Sequence, residues 1–374
     1  MASVEKYFTN NGSPRWRVRY RVNYYGKQVQ KKKAGFKTER DANRWRAKIE
    51  MELEHKDYIP VSNKTLAQYM NDYLQIYCSD LAPKTIISYR AIATKICLTK
   101  LVDMPLQDIG PEDITITLKL LMNGEIDGRP LSANTIHHYF ILLNLVFKQA
   151  LLNHRISFNP CSAVKLPRVA KYHHHILDVE QYRQLLEANE GYPIYIPLLL
   201  GGYMGLRKGE VLGLTWQDID FKKDTLTVRQ IRQKVAGQEI LREPKTEKSH
   251  RTLVMPQFVA DELHKHRDNI IIDLSHQLVC SLTTGEPISY DTFYQRVKRA
   301  LKRAGLPPEI RFHDLRHTCA ALLTLAEAGP KEVSKYLGHA NAAFTMDIYA
   351  DIFDSKKEET AQKLDMLMRK QKTV

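Results

Sequence analysis

Residues 15–22 read RWRVRYRV, and this alternation restricts the fold more than any other feature of the sequence. A period of two belongs to a strand, so Trp16, Val18, Tyr20 and Val22 share one face and Arg15, Arg17, Arg19 and Arg21 the other. One side can pack, and the other is cationic. Residues 23–26 (NYYG) make a turn-like break, and residues 27–33 (KQVQKKK) continue the same chemistry through Lys27, Lys31 and Lys33, as the second arm of a hairpin. Thr38 then caps a helix, with Asp41 as its reciprocal partner. Ala42, Trp45, Ile49 and Leu53 give that helix an apolar stripe to lay on the sheet.

Charge collects in the same segment. From Lys6 to Lys48 there are 14 Lys and Arg against 2 Asp and Glu, so +12 of the chain's formal +14 lies there and the remainder is nearly neutral. A charge run is commonly a solvated face, but these basic residues are ordered on a strand with no acids among them. That favours a surface for a polyanion. Strand-based readers enter DNA grooves, and neutralising phosphates supplies most non-specific affinity. From this segment alone, RNA or a membrane surface stays open.

A chain of 374 residues can hold two or three domains. It has no apolar run of transmembrane length and no signal peptide, which predicts a cytoplasmic, nucleoid-associated protein with no membrane partner. The five cysteines, Cys78, Cys97, Cys161, Cys280 and Cys319, are scattered and lack metal-ligand spacing, so they read as reduced, buried thiols. Beyond residue 60 the basic character stops. Leu66, Tyr69, Met70, Tyr73 and Leu74, then Ile86, Tyr89, Ile92 and Ile96, then Ile136, Tyr139, Phe140, Leu143, Phe147 and Leu151 fall at helical spacing, which predicts an all-helical domain. Pro160, Pro167 and the basic residues 168–171 (RVAK) read as an exposed linker, and Asp178 opens a new helical segment. A β-rich stretch over residues 225–256 precedes further helices. The expected fold is multidomain α+β, divided as 1–58, 62–166, a linker at 167–177, and 178–374.

The last domain carries the informative letters: GLRKGE at 205–210, PKT at 244–246, HDLRHT at 313–318, LGH at 337–339, and Tyr349. Each is weak alone. His313 and Arg316 stand about one helical turn apart, so both can point at one spot. Two guanidinium forks suit the non-bridging oxygens of one phosphate, and nearby histidines can donate or accept. A phosphoryl-transfer site needs a metal or such cations, together with a nucleophile. Clustered carboxylates, a Walker-type loop and a zinc pattern are all missing from the sequence. His173, His174 and His175 are adjacent, cannot easily share one ion, and fall in the linker, so no metal and no cofactor are expected.

These motifs in this order, with Tyr349 ten residues after His339, resemble the tyrosine recombinase family, and more narrowly the integrases of phages and conjugative transposons. The resemblance covers nearly the whole chain. Residues 81–86 (LAPKTI), 131–150 and Asn159-Pro160 resemble a helical core-binding domain, and the basic sheet plus helix resembles a small arm-binding domain with a three-stranded sheet. The catalytic domain is then mixed and mainly helical, with a small antiparallel sheet. By resemblance Tyr349 is the nucleophile, and Arg207 and Arg316 clamp the phosphate. Lys245 is the general acid, with Lys248 as a nearby competitor. His313 and His339 bond the phosphate or accept the tyrosine proton, Glu210 orients a site residue, and His317 packs or braces its helix. The implied activity is site-specific integration and excision through a 3′-phosphotyrosyl link and a Holliday junction. The implied partners are double-stranded DNA at core and arm sites, a homotetramer on that DNA, an excisionase or directionality factor, and a host DNA-bending protein. From residue 355, Ala361, Leu364, Leu367 and Met368 form the stripe of a terminal helix that packs in cis or in trans. A type IB topoisomerase and a non-catalytic architectural factor are the alternative readings.

Overall fold

The computed structural model describes residues 2–24, 27–54, 59, 62–170, 174–243, 250–271, 277–338 and 365. Two compact units divide the chain, residues 1–170 and 171–374. The fold is mixed α+β.

The first unit opens with a three-stranded antiparallel sheet in the order β1 (Ser3–Phe8), β2 (Pro14–Tyr24), β3 (Lys27–Phe36). Helix α1 (Glu39–Glu54) lies on it. The alternation of β2 places Val18, Tyr20 and Val22 in a small core with Ala42 and Ile49. Trp45 meets Tyr20 edge-on at 5.4 Å. Thr38 starts the helix as its sequence predicts: its hydroxyl accepts the Asp41 N–H at 3.1 Å and donates to the Asp41 carboxylate at 2.7 Å.

Two features of this sheet differ from the sequence reading. Residues 3–8 carry no strand in the sequence reading but form β1, which pairs Glu5 with Arg17. One Glu5 oxygen accepts from Arg17 Nε at 2.9 Å and lies 3.1 Å from Arg19 Nε, so an acid does interrupt the arginine row. It comes from across the sheet, where adjacency in sequence gives no warning. The register of β3 also sorts the lysines. Lys32 faces Arg19, whereas Lys31 pairs with Tyr20, Lys33 with Val18 and Lys27 with Tyr24. Directly opposed residues share a face, so Lys31 and Lys33 stand on the packing side, and Lys33 Nζ sits 5.1 Å from the centre of the Trp45 ring. The register thus divides the basic residues of β3 between the two faces of the sheet.

The remainder of the unit is helical: α2 (Leu66–Ile76), α3 (Pro83–Ile96), α4 (Pro111–Asn123) and α5 (Ala133–Leu152). Thr65 and Gln68 close a capping box on α2, and Ser132 caps α5. The helical stripes meet in a core with Leu66, Met70, Ile96, Ile114, Leu121, Ile136, Leu142, Leu143, Val146 and Phe147.

The second unit contains α6 (Val179–Glu187), α7 (Tyr195–Tyr203), α8 (Lys208–Gly213), β4 (Ile219–Asp220), β5 (Thr225–Val228), β6 (Ile231–Val235), β7 (Gln238–Arg242), β8 (Arg251–Val254), α9 (Gln257–Asp268), α10 (Phe293–Arg303), α11 (Phe312–Leu325) and α12 (Pro330–Leu337). The β-rich stretch forms two pieces, an antiparallel sheet ordered β4-β5-β8 and a separate β6-β7 hairpin. Helix α7 is apolar all round, and Leu198, Leu199 and Leu200 are fully buried because it runs through the core beside α11. Phe293 and Phe312 lock α10 to α11 edge-on at 4.9 Å. Among the described residues no helix is long and apolar enough to cross a membrane.

Candidate active site

Helix α11 presents His313, Asp314, Arg316 and His317 in its first turns. Arg316 is 1% exposed. Its guanidinium donates to the Gly205 carbonyl at 2.5 Å and to the Leu337 carbonyl. Arg207 precedes α8 and donates to the Gly338 carbonyl at 3.3 Å. The GLR motif, the LG of the last histidine motif and the His-x-x-Arg motif therefore meet through backbone carbonyls. Burial and the neighbouring Arg207 push Arg316 down to about 9, which leaves it charged at neutral pH.

Glu210 receives four bonds. The Arg207 N–H donates to one oxygen at 3.0 Å and the Arg207 guanidinium to the other at 2.8 Å. Arg251 reaches both oxygens, at 3.2 and 3.0 Å. Burial raises the Glu210 carboxyl, but Arg251 and Arg207 outweigh it and hold the group below the usual carboxylate range. Arg251 lies outside the sequence motifs, although the alternation of residues 251–254 (RTLV) puts it on the inward face with buried Leu253.

His313 stands open at the mouth of the site. Partial burial first, then the positive charges of Arg316 and Arg207, push its pKa below 6.5. At pH 7 the ring is neutral and can accept a proton. A lowered folded-state pKa means that the unfolded chain binds more protons below 6.5. The stabilising contribution is thus complete above that pH and fades as pH falls through it. A ¹H–¹⁵N titration of the imidazoles, with His313 assigned by its loss in His313→Gln, should give a midpoint under 6.5. A midpoint at or above that value would reverse the sign.

Behind this row lies His174, whose Nδ1 is 3.3 Å from an Asp314 oxygen and whose ring meets His317 at 4.0 Å. The other Asp314 oxygen caps α11 by accepting the Arg311 N–H at 2.8 Å. Leu177 N–H donates to the Thr318 hydroxyl at 3.1 Å. Residues 174–177 belong to the stretch whose composition suggests a linker, and here they are stitched to α11. Among the described residues, His174, Asp314 and His317 are the group whose metal-ligating atoms come within 4.8 Å of one another. Since His174 and Asp314 bond each other and Asp314 also caps the helix, the arrangement suits a brace for the helix that carries His313 and Arg316. Lys245 (with Lys248), His339, Tyr349 and the terminal stripe at 361–368 lie outside the described residues.

One buried arginine, Arg316, and one part-exposed arginine, Arg207, the latter oriented by a carboxylate, with a histidine at the rim, have the chemistry to hold the oxygens of a phosphodiester. Residues 175–356 match the phage integrase family, and residues 4–53 match an arm DNA-binding domain. A XerC-like tyrosine recombinase of Caldanaerobacter subterraneus is 30% identical over 262 residues, covering 63% of this chain and 67% of that protein. The ICEBs1 integrase of Bacillus subtilis is 24% identical over 340 residues, 88% of this chain and 91% of its own length. Among solved structures, the Tn1549 transposon integrase in complex with a circular intermediate DNA superposes with a TM-score of 0.69 at 21% identity, over 80% of this chain and 99% of that one. A lambda integrase dimer bound to a COC′ core site gives 0.57 at 21% identity, over 92% and 94%. The chain belongs to the phage integrase family of tyrosine recombinases. It is a site-specific DNA recombinase of the kind that mobile elements carry.

Proposed function

We propose that the chain cuts and rejoins DNA through Tyr349. The tyrosine oxygen attacks the scissile phosphorus, the bond to the 5′-oxygen breaks, and a 3′-phosphotyrosyl link stores its energy. Arg207 and Arg316 hold the non-bridging oxygens as negative charge gathers there. Lys245 protonates the leaving 5′-oxygen, and neutral His313, with His339, bonds the phosphate or takes the tyrosine proton. Glu210 orients Arg207. The observation that best supports this reading is the convergence of Arg207 and Arg316 on the carbonyls of Leu337 and Gly338, directly before His339 and eleven residues before Tyr349.

In this reading residues 1–58 hold arm sites, 62–166 and 178–374 grip the core site, and 167–177 link the two. The arginine row Arg15, Arg17, Arg19 and Arg21, joined by Lys32, contacts the flanking DNA, while Lys27, Lys31 and Lys33 add positive potential. Holding one site raises the effective concentration of the other. Four copies act on paired sites through a Holliday junction, in the manner of the lambda integrase tetramer solved on one. An excisionase and a host bending protein set direction, within the nucleoid.

The test is capture of detergent-resistant protein–DNA adducts from fragmented host and element DNA, followed by sequencing. Adducts focused on one short sequence in wild type and absent from Tyr349→Phe are expected. Scattered adducts would point to a topoisomerase, and tight binding without any adduct to an architectural factor.

A further inference from the structure

We propose that Arg251 is a positioning residue for strand cleavage: by gripping both oxygens of Glu210 it fixes the carboxylate that aims Arg207, and it keeps that carboxylate from cancelling the charge of Arg207. The inference rests on the phosphate-clamping reading given above. Glu210 is 2% exposed and bonds both the backbone and the guanidinium of Arg207. Such a partner fixes orientation, but a lone carboxylate at 2.8 Å also neutralises the cation that must meet the phosphate. Arg251, with a side chain 8% exposed, supplies the second cation. Three guanidinium groups, those of Arg207, Arg251 and Arg316, then stand against one carboxylate, and the site keeps a net positive charge toward its ligand. The two-pronged contact also leaves Glu210 one rotamer, so Arg207 is held before DNA arrives.

Both terminal nitrogens of Arg251 donate to Glu210, so the proposed positioning effect runs through Glu210 and Arg207. Arg251→Gln should therefore lower single-turnover adduct formation on a core site by about 10²-fold, the penalty of a misplaced reacting group, while core-site affinity changes little. Arg251→Lys keeps a charge but not the fork. It should fall between the two, and it serves as the test variant if Arg251→Gln does not fold. Because Arg251 acts through Glu210, Glu210→Gln combined with Arg251→Gln should be no slower than Glu210→Gln alone. Wild-type rates in the Arg251 variants, or losses that multiply in the double variant, would overturn the proposal.

A second measurement does not depend on activity. The Arg207 Nε–H resonance of the full chain, assigned by its loss in Arg207→Lys, should broaden or shift in Arg251→Lys and Arg251→Gln as the guanidinium gains freedom. An unchanged resonance refutes the positioning role even if wild type forms no adduct. Absence of wild-type adduct beside a changed resonance would instead count against the cleavage reading alone.

Discussion

Arg316→Lys should slow adduct formation by about 10²–10³-fold, the scale on which removing one preorganised donor acts. Arg316 is almost wholly inside the protein, and its two terminal nitrogens bond carbonyls on different segments, Gly205 and Leu337. Lysine brings a point charge on a flexible stem, so it can meet one of those carbonyls but cannot span both in a plane. The lost charged hydrogen bond costs about 1.5–3 kcal/mol, and a unit of this size loses roughly 2–4 °C of melting temperature per kcal/mol. Stability should therefore fall modestly while cleavage collapses. Stopped reactions at saturating protein, read beside a thermal melt, check both, and a Lys variant that cleaves at the wild-type rate would remove Arg316 from the clamp.

Gly205→Ala should destabilise the catalytic unit and lower its activity together. Gly205 has φ +61°, and a Cβ there would lie 2.2 Å from a Leu337 methyl and 3.2 Å from the Cys319 sulfur. The left-handed backbone costs a non-glycine residue about 1–2 kcal/mol, and overpacking a filled interior adds about 1–3 kcal/mol. The strain falls on the residue whose carbonyl holds Arg316, so activity should drop with stability. Gly237→Ala is the control: φ is +86°, but nothing lies within 4 Å of its added Cβ. Equal melting losses in the two variants would show that crowding against Leu337 contributes nothing. The same geometry explains why the motif reads Gly-Leu-Arg, since the glycine turns the chain closely past α11 and α12 and releases the arginine into the site.

Most of the elements, though not β1, and the chemistry they carry are legible in local periodicity. The period of two in residues 15–22 makes a strand with one packing face wherever it lies, because side-chain alternation belongs to the extended backbone. Thr38 and Asp41 could be read as a cap, and His313 and Arg316 as one helical face, for the same local reason. The tertiary structure decided which charges meet. Glu5 enters the arginine row, and Lys31 and Lys33 leave it, through strand register. Arg251 reaches Glu210 across 41 residues, and His174 reaches Asp314 across 140. Local periodicity says which way a side chain points from its own element, whereas an ion pair needs two elements packed at one distance and register, and only the closed core sets that.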